Sequence, residues 1–128
     1  MIHNLGSKGY TASLLGADSR NASANGTGFD LEGSNGAEGE AIVLLDSEAG
    51  SGTNPTLDVK LQESDDNSSW SDISGATFTQ VTDGGVGFQQ ITVNTNDIGR
   101  YIRAVGTLGG TSPVFVYAVS MTFAKKYD

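Results

Sequence analysis

The sequence predicts an all-β domain: an antiparallel β-sandwich, jelly-roll-like, with seven or eight strands joined by Gly-rich loops. Three observations predict it. Glycine fills 18 of the 128 positions, about twice its usual share of roughly 7%, and with abundant Ser, Thr and Asn it penalises helices. Apolar residues alternate with polar ones in Leu57-Asp58-Val59-Lys60-Leu61-Gln62, the period of a half-buried strand. Turn-forming clusters recur at the roughly 8–12-residue spacing of sandwiches and barrels. No long stretch keeps apolar residues on a helical period, which argues against βαβ units and a parallel sheet.

Taken in order, the chain opens on a polar arm, Met1 to about Lys8, expected to be mobile in the free protein and to order on docking. A strand is expected near Tyr10–Leu15. Residues 16–40 are rich in glycine with only Phe29 and Leu31 as large apolar residues, so they are expected to be loop, with at most one short strand around Gly28–Glu32. Ala41–Leu45 is a continuous apolar run, and further strands are expected at about Ala76–Val81, Phe88–Asn94, Arg100–Gly106 and Val114–Lys125. Between them stand Asp65-Asp66-Asn67-Ser68-Ser69, Asp83-Gly84-Gly85, Asn94-Thr95-Asn96-Asp97 and Gly109-Gly110-Thr111-Ser112-Pro113, each carrying turn chemistry. The last pair is expected to form a hairpin spanning about 100–125. Its second strand sets Phe115, Tyr117, Val119, Met121 and Phe123 on one face and Val114, Val116, Ala118, Ser120 and Thr122 on the other. The first set reads as core and the second as an interface. One domain, 1–128, is expected.

Composition limits function. The formal charge is −8, with a pI near 4.3, which disfavours a non-specific grip on nucleic acid or on an anionic membrane. There is no cysteine, hence no disulfide, no thiolate metal site and no cysteine nucleophile. No stretch reaches the 18 or more apolar residues of a membrane helix, and the first residues have no basic and apolar signal pattern, so a soluble protein without a secretion signal is expected. His3 is the sole histidine, too few for a histidine-ligated zinc site and poorly placed for a catalytic triad. Glu63, Asp65, Asp66 and Asp72, or Asp30, Glu32, Glu38 and Glu40, supply oxygen ligands without EF-hand spacing. Turn chemistry explains the first group without a metal. Trp70 reads as a core or rim anchor before it reads as a platform for a sugar ring. No enzyme and no cofactor are expected.

Leu57–Tyr127 resembles small structural proteins encoded in the head-gene regions of tailed bacteriophages and prophages. The segments that carry the likeness are LDVKLQESDDNSSWSDISGATFTQV, GRYIRAVGTLGG followed by TSPVF, and KKY, preceded by GTGFDLEG and EGEAIVLLDSEAGSGTNPTLDVKL. The resemblance implies a capsid decoration or cement protein that reinforces the shell by binding the major capsid protein, in lateral copies or as a homo-oligomer, a trimer being favoured. It implies residence on the virion surface after synthesis in the bacterial cytoplasm. The residues expected to meet a partner are Met1, Ile2, His3, Asn4 and Leu5 of the arm, Arg100 and Arg103 of a basic C-terminal region, and Val114 and Val116 of the apolar strand. A carbohydrate- or receptor-binding module of head-fibre or adhesin type is the competing expectation, because sandwich loops and exposed aromatics also suit glycans.

Overall fold

The computed structural model describes residues 9–32, 37–84 and 87–125. Nine antiparallel strands form one strongly bent sheet: β1 Gly9–Arg20, β2 Ala24–Asn25, β3 Phe29–Asp30, β4 Ala37–Ser47, β5 Ser51–Ser64, β6 Ser71–Thr77, β7 Val81–Thr82, β8 Gly87–Asn94 and β9 Tyr101–Lys125. The only helix among the described residues is the 3-10 turn Thr95–Asp97, capped by the Asn94 side chain. The all-β antiparallel sandwich expected from the sequence is the architecture observed.

Its logic is a long two-stranded ribbon folded over on itself. β4 and β5 run together antiparallel to β9, from Ala37↔Lys125 through Ser47↔Tyr117 and Ser51↔Val114 to Ser64↔Tyr101. The remaining strands line its two sides. β1, β2 and β3 follow the free side of β9, whereas β6, β7 and β8 follow the free side of β4 and β5. Folding the ribbon yields sheet A, ordered β1-β9-β4-β8, and sheet B, in which β9 lies between β5 and the short strands β2 and β3.

The fold line is written in the backbone. Gly52 and Asn54 on β5, and Gly110 and Ser112 on β9, have positive φ values of 115°, 50°, 96° and 49°. The ladder shifts register between Ser51 and Thr53 and again between Thr53 and Thr56. A Cβ on Gly52 would sit 2.6 Å from the Ser112 carbonyl oxygen, and one on Gly110 would run into the Asn54 carbonyl. Each ribbon strand therefore presents a glycine against the backbone of the other, and this double bulge bends the pair.

The bulge also flips β9 by one residue. Ile102, Ala104 and Gly106 point inward before it; Phe115, Tyr117, Val119, Met121 and Phe123 point inward after it. These join Val43, Leu45, Leu57, Val59 and Leu61 in one core, in which each fully buried large apolar side chain contributes about 1.5–3 kcal/mol. The strand thus packs against itself: Tyr117 reaches across the sandwich to Gly106, where a Cβ would collide with the phenol oxygen.

Three expectations need correction. The segment 16–40 is not simply loop, because the ladder to β9 carries β1 on to Arg20, adds β2 and β3, and starts β4 at Ala37. Pairing with an existing strand orders a sequence with little strand propensity of its own. The strand expected at Ala76–Val81 is interrupted between β6 and β7, where Phe78 turns into the core and its amide bonds the Val59 carbonyl. The hairpin expected at 100–125 is one strand, because its Gly-Gly-Thr-Ser-Pro turn pairs with β5 instead of reversing the chain.

Tyr117 Oη is buried without a hydrogen-bond partner among the described residues, and burial pushes the phenol pKa up, with nearby Arg20 pulling it down. Tyr117→Phe is therefore expected to match or exceed the parent by up to about 1 kcal/mol in urea denaturation, since it removes an unpaired polar atom. Gly106→Ala is expected to cost about 1–3 kcal/mol by overpacking.

Candidate functional site

The two outer faces of the sandwich have different chemistry. On sheet B, polar side chains are bonded to one another. The Arg103 guanidinium lies over the Trp70 ring, 4.4 Å from its centroid, and donates from Nε and Nη2 to Gln62 Oε1 at 2.9 and 2.8 Å. Gln62 Nε2 donates to Asp72 Oδ1 at 2.8 Å, and Lys60 Nζ donates to Asp72 Oδ2 at 3.1 Å. Cross-strand register explains the grouping: Gln62 stands opposite Arg103 on β9 and Asp72 on β6. Arg100 precedes β9 and forms a two-pronged ion pair with Asp30, at 3.0 and 2.9 Å. That pair holds the Asp30 carboxyl below its usual pKa and raises the guanidinium above its own. Both arginines expected to face a partner are thus engaged within their own fold, on different elements.

The acidic groups singled out from the sequence are likewise engaged in part. Asp66 Oδ1 accepts from the Ser68 and Ser69 amides and the Ser64 hydroxyl, which lowers its pKa. Asp72 is lowered by Gln62 and then Lys60, and Glu63 Oε1 accepts from the Gly99 amide at 2.9 Å. Among the described residues no three acidic or histidine side chains gather in metal-binding geometry. Glu63 also borders an open cleft of about 290 Å³ between the unpaired edges of β6 and β8, walled by Ile73, Val93, Asn94, Asp97 and Ile98.

Sheet A is different. Its outer rows run Thr11-Thr122-Ile42-Thr92, then Ser13-Ser120-Leu44-Gln90, then Ala118-Asp46-Phe88, and close on Val116 opposite Ser19. Ile42, Val116 and Phe88 are 41%, 39% and 65% exposed, unusual for large apolar side chains on a strand face. Val116 and Ala118 floor a depression of about 200 Å³ beside the fold line, bordered by Ala17, Asp46, Glu48 and Tyr117. Val114, half-buried, sits at the corner opposite Ser51.

Of the residues expected to meet a partner, Val114 and Val116 therefore lie on or beside this face, and Arg100 and Arg103 do not. Met1, Ile2, His3, Asn4 and Leu5 lie outside the described residues, as does the rest of the arm expected at 1–8. Ile42 and Phe88 were missed by sequence reasoning. Ile42 sits in an apolar run that reads as wholly buried, and only its register opposite Thr122 and Thr92 turns it outward. No helix among the described residues is long and apolar enough to cross a membrane. No family model matches the chain, and no curated protein matches it.

The lowered carboxyls set a pH dependence. A carboxyl whose folded pKa lies below its unfolded value adds stability above the unfolded pKa and loses it as pH falls through the folded one. Asp30, Asp66 and Asp72 all shift that way. The melting temperature is expected to fall progressively below about pH 4, and Asp66→Asn is expected to flatten part of that decline in a pH series of thermal melts.

Proposed function

We propose that the chain is a non-enzymatic structural protein that attaches to a repeating protein shell through the outer face of sheet A: a capsid decoration protein bound to the major capsid protein of a phage particle. The observation that carries the reading is the exposure of Val116, Ile42 and Phe88 on one sheet face, among Ser, Thr and Ala side chains and with Asp46 as the only charged residue in their rows. Several large apolar side chains exposed on one β-face suit a docking surface. The resemblance of Leu57–Tyr127 to phage head-region proteins supplies the class of partner. Attachment of many copies to a lattice makes modest contacts sufficient, because every site is repeated.

The competing glycan-binding reading draws less support. Arg103 covers one face of Trp70, and Phe88, the most exposed aromatic among the described residues, lies on the other sheet. The two do not form a common platform for a sugar ring.

Val116→Asp and Phe88→Asp change exposed positions, so both variants are expected to keep the parent circular dichroism spectrum and to melt within a few degrees of it. Mixed with phage particles stripped of this chain, each is expected to lose attachment in co-sedimentation. Undiminished attachment by both overturns the assignment of this face, and absence of the chain from purified particles by mass spectrometry overturns the shell reading itself.

A further inference from the structure

The outer face of sheet A carries charge of one sign. Its acidic side chains among the described residues are Glu38, Glu40, Asp46 and, just past β4, Glu48, all exposed. Lys60 and Arg103 bond across the outer face of sheet B, Arg100 is paired with Asp30, and Lys125 ends β9 opposite Ala37. Arg20, at the end of β1, donates to the carbonyls of Tyr117 and Gly16 and stacks over the Tyr117 ring. Its charge offsets part of the local field, but its donors are committed to the chain itself.

Two of the acids stand at the depression beside the fold line. Asp46 pairs with Ala118 on β9, and the Glu48 amide bonds the Val116 carbonyl. Asp46, on β4, and Glu48, just past its end, flank an apolar floor of Ala17, Val116 and Ala118. Among the described residues neither carboxylate has a hydrogen bond or a salt bridge, in contrast to Asp30, Asp66 and Asp72. An apolar floor beside two carboxylates that have no partner among the described residues complements one kind of side chain: an alkyl stem that ends in a cation.

Building on the docking reading above, we propose that this depression seats a lysine or arginine side chain of the bound shell protein, whose contact surface is then an apolar patch bearing a basic anchor. The stem lies on Val116 and Ala118 and the head meets Asp46 and Glu48. Arginine fits better than lysine, because its planar fork can reach two separated carboxylates at once.

The probe is n-butylguanidinium chloride, titrated into the 15N-labelled full chain and followed by amide chemical shifts, with sodium butyrate as the control. The expected result is a saturable response centred on Ala17, Asp46, Val116 and Ala118. It should weaken with added salt, be absent with butyrate, and be about tenfold weaker in Asp46→Asn/Glu48→Gln, both substitutions being at exposed positions. An equal response to butyrate, a response centred elsewhere, or one untouched by the double substitution overturns the proposal. Particle attachment separates the two levels of inference. If the double variant attaches as well as the parent while Val116→Asp does not, the face docks without a basic anchor and this proposal fails. If Val116→Asp and Phe88→Asp both attach as well, the docking reading fails beneath it.

Discussion

The antiparallel ladder between residues 37–64 and 101–125 is the constraint on which the rest of the structure depends. Its pairing is maintained through a fold line at residues 51–56 and 109–114, so one ribbon supplies the centre of both sheets. Every other strand is added to a side of that ribbon. The inner faces of its two halves become a single core as soon as it folds, which is why β9 packs Tyr117 against its own Gly106. The same arrangement places glycine where backbone approaches backbone or ring: Gly52 and Gly110 across the ladder, and Gly50 against the tip of the Phe115 ring. Side chains at those positions would force the two halves apart.

Folding one ribbon makes two outer faces from adjacent stretches of the same strands, and their chemistry diverges at the corner. On sheet B, Lys60, Gln62, Asp72 and Arg103 satisfy one another, and their geometry is fixed by cross-strand register. On sheet A, hydroxyls and small apolar side chains surround Ile42, Val116 and Phe88, and Asp46 and Glu48 have no ion pair among the described residues, the nearby Arg20 being bonded to backbone carbonyls. A polar network already closed on itself offers a partner little, since its hydrogen bonds would have to be broken before new ones formed. The exposed apolar side chains, Asp46 and Glu48 of sheet A have no such side-chain bonds to break among the described residues. That asymmetry is the physical basis for proposing sheet A as the attachment face.

Much of this was legible in the residues. Alternation at Leu57–Gln62 and along Phe115–Phe123 identified inward and outward faces correctly, because a period of two depends only on local backbone geometry. Val116 was recognisable as outward by the same parity. Ile42 was not, since a continuous apolar run has no visible period, and Phe88 drew no notice because nothing local distinguishes an aromatic at a sheet edge from one in a core. The roles of Arg100 and Arg103 were also hidden: their partners Asp30, Gln62 and Trp70 are 70, 41 and 33 positions away in the chain, and no local pattern encodes such distances.

By itself the sequence determined the secondary-structure class, the positions of most strands and the alternation within them, because these follow from backbone sterics and from the separation of apolar from polar groups over a few residues. Tertiary structure alone decided that Gly109–Pro113 is a bulged corner and not a hairpin turn, that residues 16–30 become paired strands, and which of two outward faces remains unsatisfied. A turn sequence reverses the chain only when its flanking strands pair with each other. Here β5 reaches both flanks first and holds them in one line, and that long-range competition for backbone hydrogen bonds lies beyond the reach of any local reading.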